Sequence, residues 1–421
     1  MHYYSQSIRT ALAPFIMSRL IALSGISFVF ILVAHKAPED LGLFSYVLAL
    51  LTVISTVFPL LLATAGNNAA SLMDKPAELN SFFSGGFTLS LAVGALTAAA
   101  CFLAVQVTTN FSGTQHWDEE SFWSISLVYI LATPLIATNN FLQMFFESTG
   151  KANRVAETRL KITLFCSAVL MLSCVISNRE DFKLCAMLYF PLSEAMTLLL
   201  LTKPLSKKRY YSPRDAKKIL SLSLRGGLPI AAGMTGQKIY FYLLMERLAR
   251  VGSGLTAELS VFMTVAGILL IPSLALAQIH SFQVSQHRSQ SKDLYRSGLV
   301  WNAGIFLLTA FVISLLGKYA FYIVGGELMH YRSQLLATVI LFIFSTSLLS
   351  LAVAHLRANG ETLMPQLLIN VIMLGLLMPL LYCLEPHQSS LEIFLMLQSG
   401  AAALSFSLLG LRIAHIHKTN R

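Results

Sequence analysis

The sequence predicts an all-α, polytopic membrane protein of twelve transmembrane helices in two pseudo-symmetric six-helix lobes. Three observations predict this class. The chain is 55% hydrophobic and only 12% charged, against about 25% charged in soluble domains. Apolar runs of about 20 residues or more recur along it, each long enough to cross a hydrocarbon core as helix. Finally, three punctuating residues return in order in the second half: Pro14, Pro59 and Gly150 are answered by Pro229, Pro272 and Gly360, at offsets of 215, 213 and 210 residues. A six-span unit is therefore written twice, a plan that recurs in secondary transporters with their sites between the repeats.

The elements follow in order. The first span, 11–34, opens at Pro14 and carries Arg19. It is too long for a signal-peptide core and lacks a small-residue cleavage site at its end, so it is expected to remain as a helix. The second, 41–65, contains Pro59, and the third covers 82–105. The fourth, 121–146, carries Asn139, Asn140 and Gln143 and is followed by Gly150. Spans five and six, 159–178 and 183–203, complete the first lobe, with Glu194 near the centre of the sixth. A basic stretch from Lys203 to Lys218, with Lys207-Lys208-Arg209 and two prolines, is read as the linker 203–218 between lobes 1–202 and 219–421. Spans seven to twelve follow at 219–246, 255–280, 294–317, 333–356, 362–384 and 391–414. Prolines 59, 134, 191, 229, 272 and 379 fall inside spans, where they free carbonyls and bend helices.

Charge sets orientation. Of the 30 Lys and Arg, 20 lie in segments on the side of the N-terminus, seven on the other side, and Arg19, Arg225 and Lys238 within spans. The positive-inside rule then places both termini in the cytoplasm of a cell with the chain in its inner membrane. The net charge of +10 is thus an orientation signal and not a nucleic-acid footprint. The five cysteines lie in or beside apolar spans without metal-type spacing, so neither a disulfide framework nor a metal site is expected. His415 and His417 sit in the basic tail without partner acids. No acid cluster, His/Asp pair or nucleophile beside a base occurs at a membrane face, which argues against an enzyme.

The second half carries short motifs. Leu228-Pro229-Ile230-Ala231 opens span seven, with Gln237 eight residues after the proline and Phe241 beyond it. Span eight has Phe262-Met263 and Ile271-Pro272, and span ten ends in Leu356-Arg357-Ala358-Asn359-Gly360-Glu361-Thr362, with Pro365 three residues on. The chain resembles the multidrug and toxic compound extrusion (MATE) family, within the superfamily that includes polysaccharide-lipid flippases. The family pattern in span ten is Leu-Arg-Gly, a variable pair, Asp-Thr and a later Pro; here Ala358 replaces the Gly and Glu361 the Asp. The resemblance implies export of a small amphiphilic compound by alternating access, driven by H+ or Na+, with no other cofactor. It implies as partners the lipid bilayer and either a small-molecule or a lipid-linked substrate; a monomer is the expected unit. The acids that the family uses for the coupling ion fall, by counting from Pro14 and Pro229, on Val29 and Gln237. A flippase for a lipid-linked oligosaccharide is the alternative.

Ionisable residues at membrane depth are functional candidates by default. Shifting Arg19 by the repeat offset gives position 234, one helical turn before Lys238. Facing a shared cavity, these two cations suit an anionic or phosphate-bearing cargo; the plainer reading pairs one of them with Glu194. Glu194 and Lys238 are the candidate ion-coupling groups. Arg19, Gln237, Lys238, Tyr240, Asn140 and Gln143 are the candidate substrate contacts, with Asn139, Gln278 and Asn370 as further polar residues. Glu147, Glu246, Glu258 and Glu392, near span ends, are expected to face water or headgroups.

Overall fold

The computed structural model describes residues 2–37, 40–111, 119–203, 216–251, 253–325, 333–383 and 390–419. Most of the basic linker and the centre of the polar loop after the third span, residues 204–215 and 112–118, lie outside them. Among the described residues every regular element is helical. The first six crossings are α1 (His2–Lys36), α2 (Leu41–Val57) continued by a 3-10 turn (Phe58–Leu62) and α3 (Ala65–Ser71), α4 (Pro76–Phe111), α5 (Glu119–Ser148), α6 (Ala152–Ile176) and α7 (Arg179–Thr202). The second six are α8 (Ala216–Val251), α9 (Ser253–Gln286), α10 (Ser291–Gly325), α11 (Ser333–Ala358), α12 (Leu363–Asn370) continued by a π turn (Val371–Leu377) and α13 (Met378–Cys383), and α14 (Leu391–Thr419).

Among the described residues, eleven crossings are long and apolar enough to span a membrane. α8 carries Gln237 and Lys238 in its middle. The ends run past the expected spans: α1 begins at His2, nine residues before the apolar run, because Tyr4 and Ile8 are themselves buried.

Two crossings are broken, and proline accounts for both. Pro59 opens the second, where the chain tightens into a 3-10 turn. Pro379 lacks the N–H that would bond the carbonyl of Gly375. The turn before it widens, and the Met378 N–H reaches back five residues to Met373. Such π turns recur at functional sites. Pro14, Pro134, Pro191, Pro229 and Pro272 instead stay inside continuous helices.

The repeat is visible in the backbone. Gly150 and Gly360 are the described residues at positive φ, +79° and +92°. Each ends a helix in the same way: Lys151 N–H bonds Phe146 O at 2.8 Å and Glu361 N–H bonds Leu356 O at 2.9 Å. That is the six-to-one closure of a left-handed cap, which glycine adopts without a Cβ clash. Glu361 then accepts Arg412 of α14 through both carboxylate oxygens.

The chain divides into two compact units, Ala13–Leu228, and Met1–Leu12 with Pro229–Arg421. The divisions fall inside α1 and α8, beside Pro14 and Pro229. The Ala13–Leu228 unit is built on an apolar core of Val29, Phe44, Leu51, Phe122, Ile125, Ile162 and Phe182 from α1, α2, α5, α6 and α7. The other unit packs Phe262, Phe321, Val339, Leu356, Leu381 and Phe394 from α9, α10, α11, α13 and α14. Close approach helps build the first unit: a Cβ at Gly94 would lie 2.6 Å from the Pro134 backbone.

Candidate functional site

Within the Ala13–Leu228 unit, polar side chains gather where α1, α5 and α6 meet. Arg19 lies one turn after Phe15. Its Nη1 donates to the Phe15 carbonyl at 2.7 Å, and its guanidinium lies 5.2 Å from the Phe15 ring centroid. Its Nη2 is 3.9 Å from Glu147 Oε2. The Glu147 side chain is 1% exposed and that of Arg19 23%. Glu147 Oε1 also accepts from Gln143 Nε2 at 2.8 Å and from Ser18 Oγ at 3.4 Å. Gln143 Oε1 in turn accepts from Arg159 Nη2 on α6. Arg159, Gln143, Glu147 and Arg19 thus form one chain, two cations around one buried carboxylate. A carboxylate removed from water needs this many donors to stay there.

Two expectations are corrected here. Glu147, expected near water or headgroups, is buried, because Arg19, Gln143 and Ser18 supply the donors that water would have given. The pairing proposed for Glu194 also differs. Glu194 is half-buried and accepts Asn139 Nδ2 at 2.6 Å through Oε2, while the same amide donates to its backbone carbonyl at 2.7 Å. The acid beside Arg19 is Glu147. Arg19 and Gln143 are therefore brought together, Asn140 lies half-buried three residues before Gln143 on α5, and Glu194 belongs to a separate contact between α5 and α7. Val29 is fully buried in the apolar core, so the position at which the family resemblance implies an acid is an apolar one.

The second unit holds a groove of about 580 Å³ between α8 and the α12–π segment. Pro229, Ala232 and Gly233 line one wall, Leu363, Gln366, Leu367 and Asn370 the other, and no charged residue lines it among the described residues. The volume suits a drug-sized ligand. Glycine makes the seam beneath it: a Cβ at Gly233 would overlap Gln366 Oε1, and one at Gly236 would lie 2.6 Å from Asn370 Oδ1. Asn370 Nδ2 donates to the Gly233 carbonyl at 3.2 Å. The oxygens Gln366 Oε1 and Asn370 Oδ1 are buried in this seam without a donor. A buried acceptor gains from a donor, so the seam offers two acceptors to an N–H or O–H group.

Gln237 lies one turn beyond Gly233 and is half-buried; Lys238 is exposed. Tyr240 is buried in the apolar core, its hydroxyl without a partner, and so stands apart from the groove wall. Gln366, Gly233 and Gly236 were not among the sequence candidates. The signal for Gly233 was the Pro229/Gly233/Gln237 spacing of four, which puts these three on one face of α8.

No protein-family model matches the chain, and no curated protein sequence matches it. Solved structures do. An outward-facing multidrug resistance MATE family transporter of the MOP superfamily superposes with a TM-score of 0.81 at 18% identity, over 98% of this chain and 96% of that one. A MOP superfamily transporter from Pyrococcus furiosus, described as having a binding pocket of reverse polarity that suggests a different function, gives 0.80 at 17% identity, over 98% and 96%. The eukaryotic MATE transporter AtDTX14 gives 0.76 at 13% identity, over 97% and 96%. The chain has the fold of these proteins from end to end.

Proposed function

We propose that the protein is a MATE-like secondary transporter that exports a small amphiphilic compound by alternating access, exchanging it for H+ or Na+. The observation that carries this reading is the uncharged groove at Pro229, Gly233, Gln366 and Asn370, set in a fold shared over nearly its whole length with transporters. An apolar wall with amide edges suits a hydrophobic body bearing a few hydrogen-bond donors. Orphaned oxygens at the seam favour a cargo or water that supplies N–H or O–H. The charge distribution supports insertion in a cell's inner membrane with both termini inside. No catalytic step forms part of this reading.

A second reading, a flippase for a lipid-linked oligosaccharide or another anionic amphiphile, is favoured by one observation. Arg19 and Arg159 gather around the single acid Glu147, leaving an excess of positive charge, and Lys238 is exposed on α8. The Pyrococcus furiosus transporter of this fold, described as having a binding pocket of reverse polarity, is a precedent for such divergence. The purified chain in vesicles, given ethidium or a fluorescent lipid-linked sugar diphosphate, separates the two. Gradient-driven ethidium movement supports export; movement of the sugar lipid alone, indifferent to pH and Na+ gradients, abandons it. Lys238→Ala and Glu194→Gln assign the charges: unchanged transport in both makes them structural.

A further inference from the structure

The unit formed by Met1–Leu12 and Pro229–Arg421 contains an unbroken chain of ring nitrogens that transport as described above does not use. Tyr4 Oη lies 2.7 Å from His280 Nδ1. His280 Nε2 lies 3.1 Å from His355 Nδ1, their rings stacked at 5.3 Å. His355 Nε2 lies 3.3 Å from His417 Nε2 and 3.2 Å from Ser291 Oγ, which Asn359 also holds. Tyr4, His280 and His355 are at most 1% exposed, whereas His417 is half-buried. The chain therefore leads from the surface where α14 ends into the interior of the unit. α1 contributes Tyr4, α9 His280, α11 His355 and α14 His417. Tyr295 of α10 packs on the rings, and the cations Lys292 and Arg296 of α10 act on His417. Among the described residues, no carboxylate hydrogen-bonds any member. Gly298 leaves the space: a Cβ there would sit 2.9 Å from His280 Nδ1.

We propose that Tyr4, His280, His355 and His417 form a proton relay that loads His280 from the aqueous face at which α14 ends. It takes the place of the coupling acids whose positions read Val29 and Gln237, and so rests on the ion-driven transporter reading. The atoms balance. In the ready state His355 carries its proton on Nδ1 and His280 on its own Nδ1, each donating along the chain toward Tyr4. A proton on His417 Nε2 crosses to His355 Nε2, and His355 passes its Nδ1 proton to His280 Nε2. His280 is then protonated on both nitrogens, and both have acceptors: the Tyr4 oxygen and the bare His355 Nδ1. One proton has entered, one charge has moved inward, and only N–H bonds have been exchanged. A buried imidazolium is tolerable only with both N–H groups accepted, and His280 is the member flanked by two buried acceptors. Other polar side chains lie on the helices around the relay. Asn302, one turn beyond Gly298, holds Ser347 at 3.2 Å, and its Oδ1, like Ser273 Oγ one helix face along α9, is buried without a donor.

The test uses the full chain in vesicles, with ethidium exchange in the absence of a gradient and ethidium uptake driven by a pH gradient measured side by side. Nitrogen-15 spectra of the histidines in nanodiscs are recorded across pH. His280→Gln is expected to lower the pH-driven component about tenfold or more while leaving gradient-free exchange within about twofold. Tyr4→Phe, which keeps the ring, lowers the same component and shifts the His280 Nδ1 signal. Wild-type His280 is expected to gain protons on both nitrogens as pH falls, and to lose this response in His355→Gln. PH-driven uptake that survives His280→Gln and Tyr4→Phe overturns the relay, as does a single fixed His280 tautomer at every pH at which the wild type is driven. Absence of ethidium exchange in every form counts against the transporter reading, whereas the nitrogen-15 titration still decides whether the chain loads a proton.

Discussion

Removing Arg19 should expose how the Ala13–Leu228 unit tolerates a carboxylate inside it. Arg19→Met keeps much of the volume and deletes the charge, the 2.7 Å bond to Phe15 O and the 3.9 Å ion pair with Glu147. Breaking a buried pair from one side costs about 3–5 kcal/mol. The 3.9 Å separation and the surviving donors Gln143 and Ser18 place this case at the low end, about 3 kcal/mol. For a unit of this size each kcal/mol moves the melting point by about 2–4 °C, so the variant should melt about 6–12 °C lower in detergent. Glu147→Gln on top of Arg19→Met removes the stranded charge and should restore at least half of the loss. Melting of Arg19→Met within about 2 °C of wild type, or a double variant no better than the single, would refute the claim that Arg19 is there to hold Glu147.

Further outcomes follow from single contacts. Gly150→Ala and Gly360→Ala force a Cβ into the left-handed region where nothing else is nearby, so each should cost about 1–2 kcal/mol by denaturant titration, and by similar amounts because both close the same cap. Tyr240→Phe deletes a buried hydroxyl without a partner and should leave the melting point unchanged or raised, where a hydrogen-bonded tyrosine would lose about 1 kcal/mol. Gly233→Ala should push α8 off Gln366 and lower ethidium transport, and Gln366→Ala in the same chain should restore part of it. A Gly233→Ala protein of full activity would show that the seam plays no part in transport.

Much of the fold was legible because it depends on long-range periodic signals. Apolar length fixed the crossings, and the paired residues Gly150 and Gly360 appear as the two matching left-handed caps. The breaks were half-legible: Pro59 and Pro379 were seen as bends, but whether a proline tightens a turn or widens it depends on which carbonyl finds a donor, a local geometry that no spacing encodes. The polar contacts were less legible. Arg19 was recognised as a membrane cation, yet its acid was sought at Glu194, near mid-span, because depth along a helix says nothing about which face the side chain takes. Glu147 looked peripheral since it closes α5, although Ser18 and Arg19 of α1 reach over it. His280, His355 and His417 were read singly or passed over. Their signal was that each lies close to the end of an even-numbered crossing of the second half, so that helices running the same way bring them to one level.

Whether ion gradients move a small amphiphile through this fold decides between the proposed functions. The direct measurement is ethidium accumulation by vesicles containing the purified chain, with a pH gradient, a Na+ gradient or none imposed. Accumulation against the ethidium gradient when pH is imposed, lost in His280→Gln and retained in a surface control such as Lys161→Ala, is the predicted result. No response to either gradient, with movement of a lipid-linked sugar alone, would contradict it.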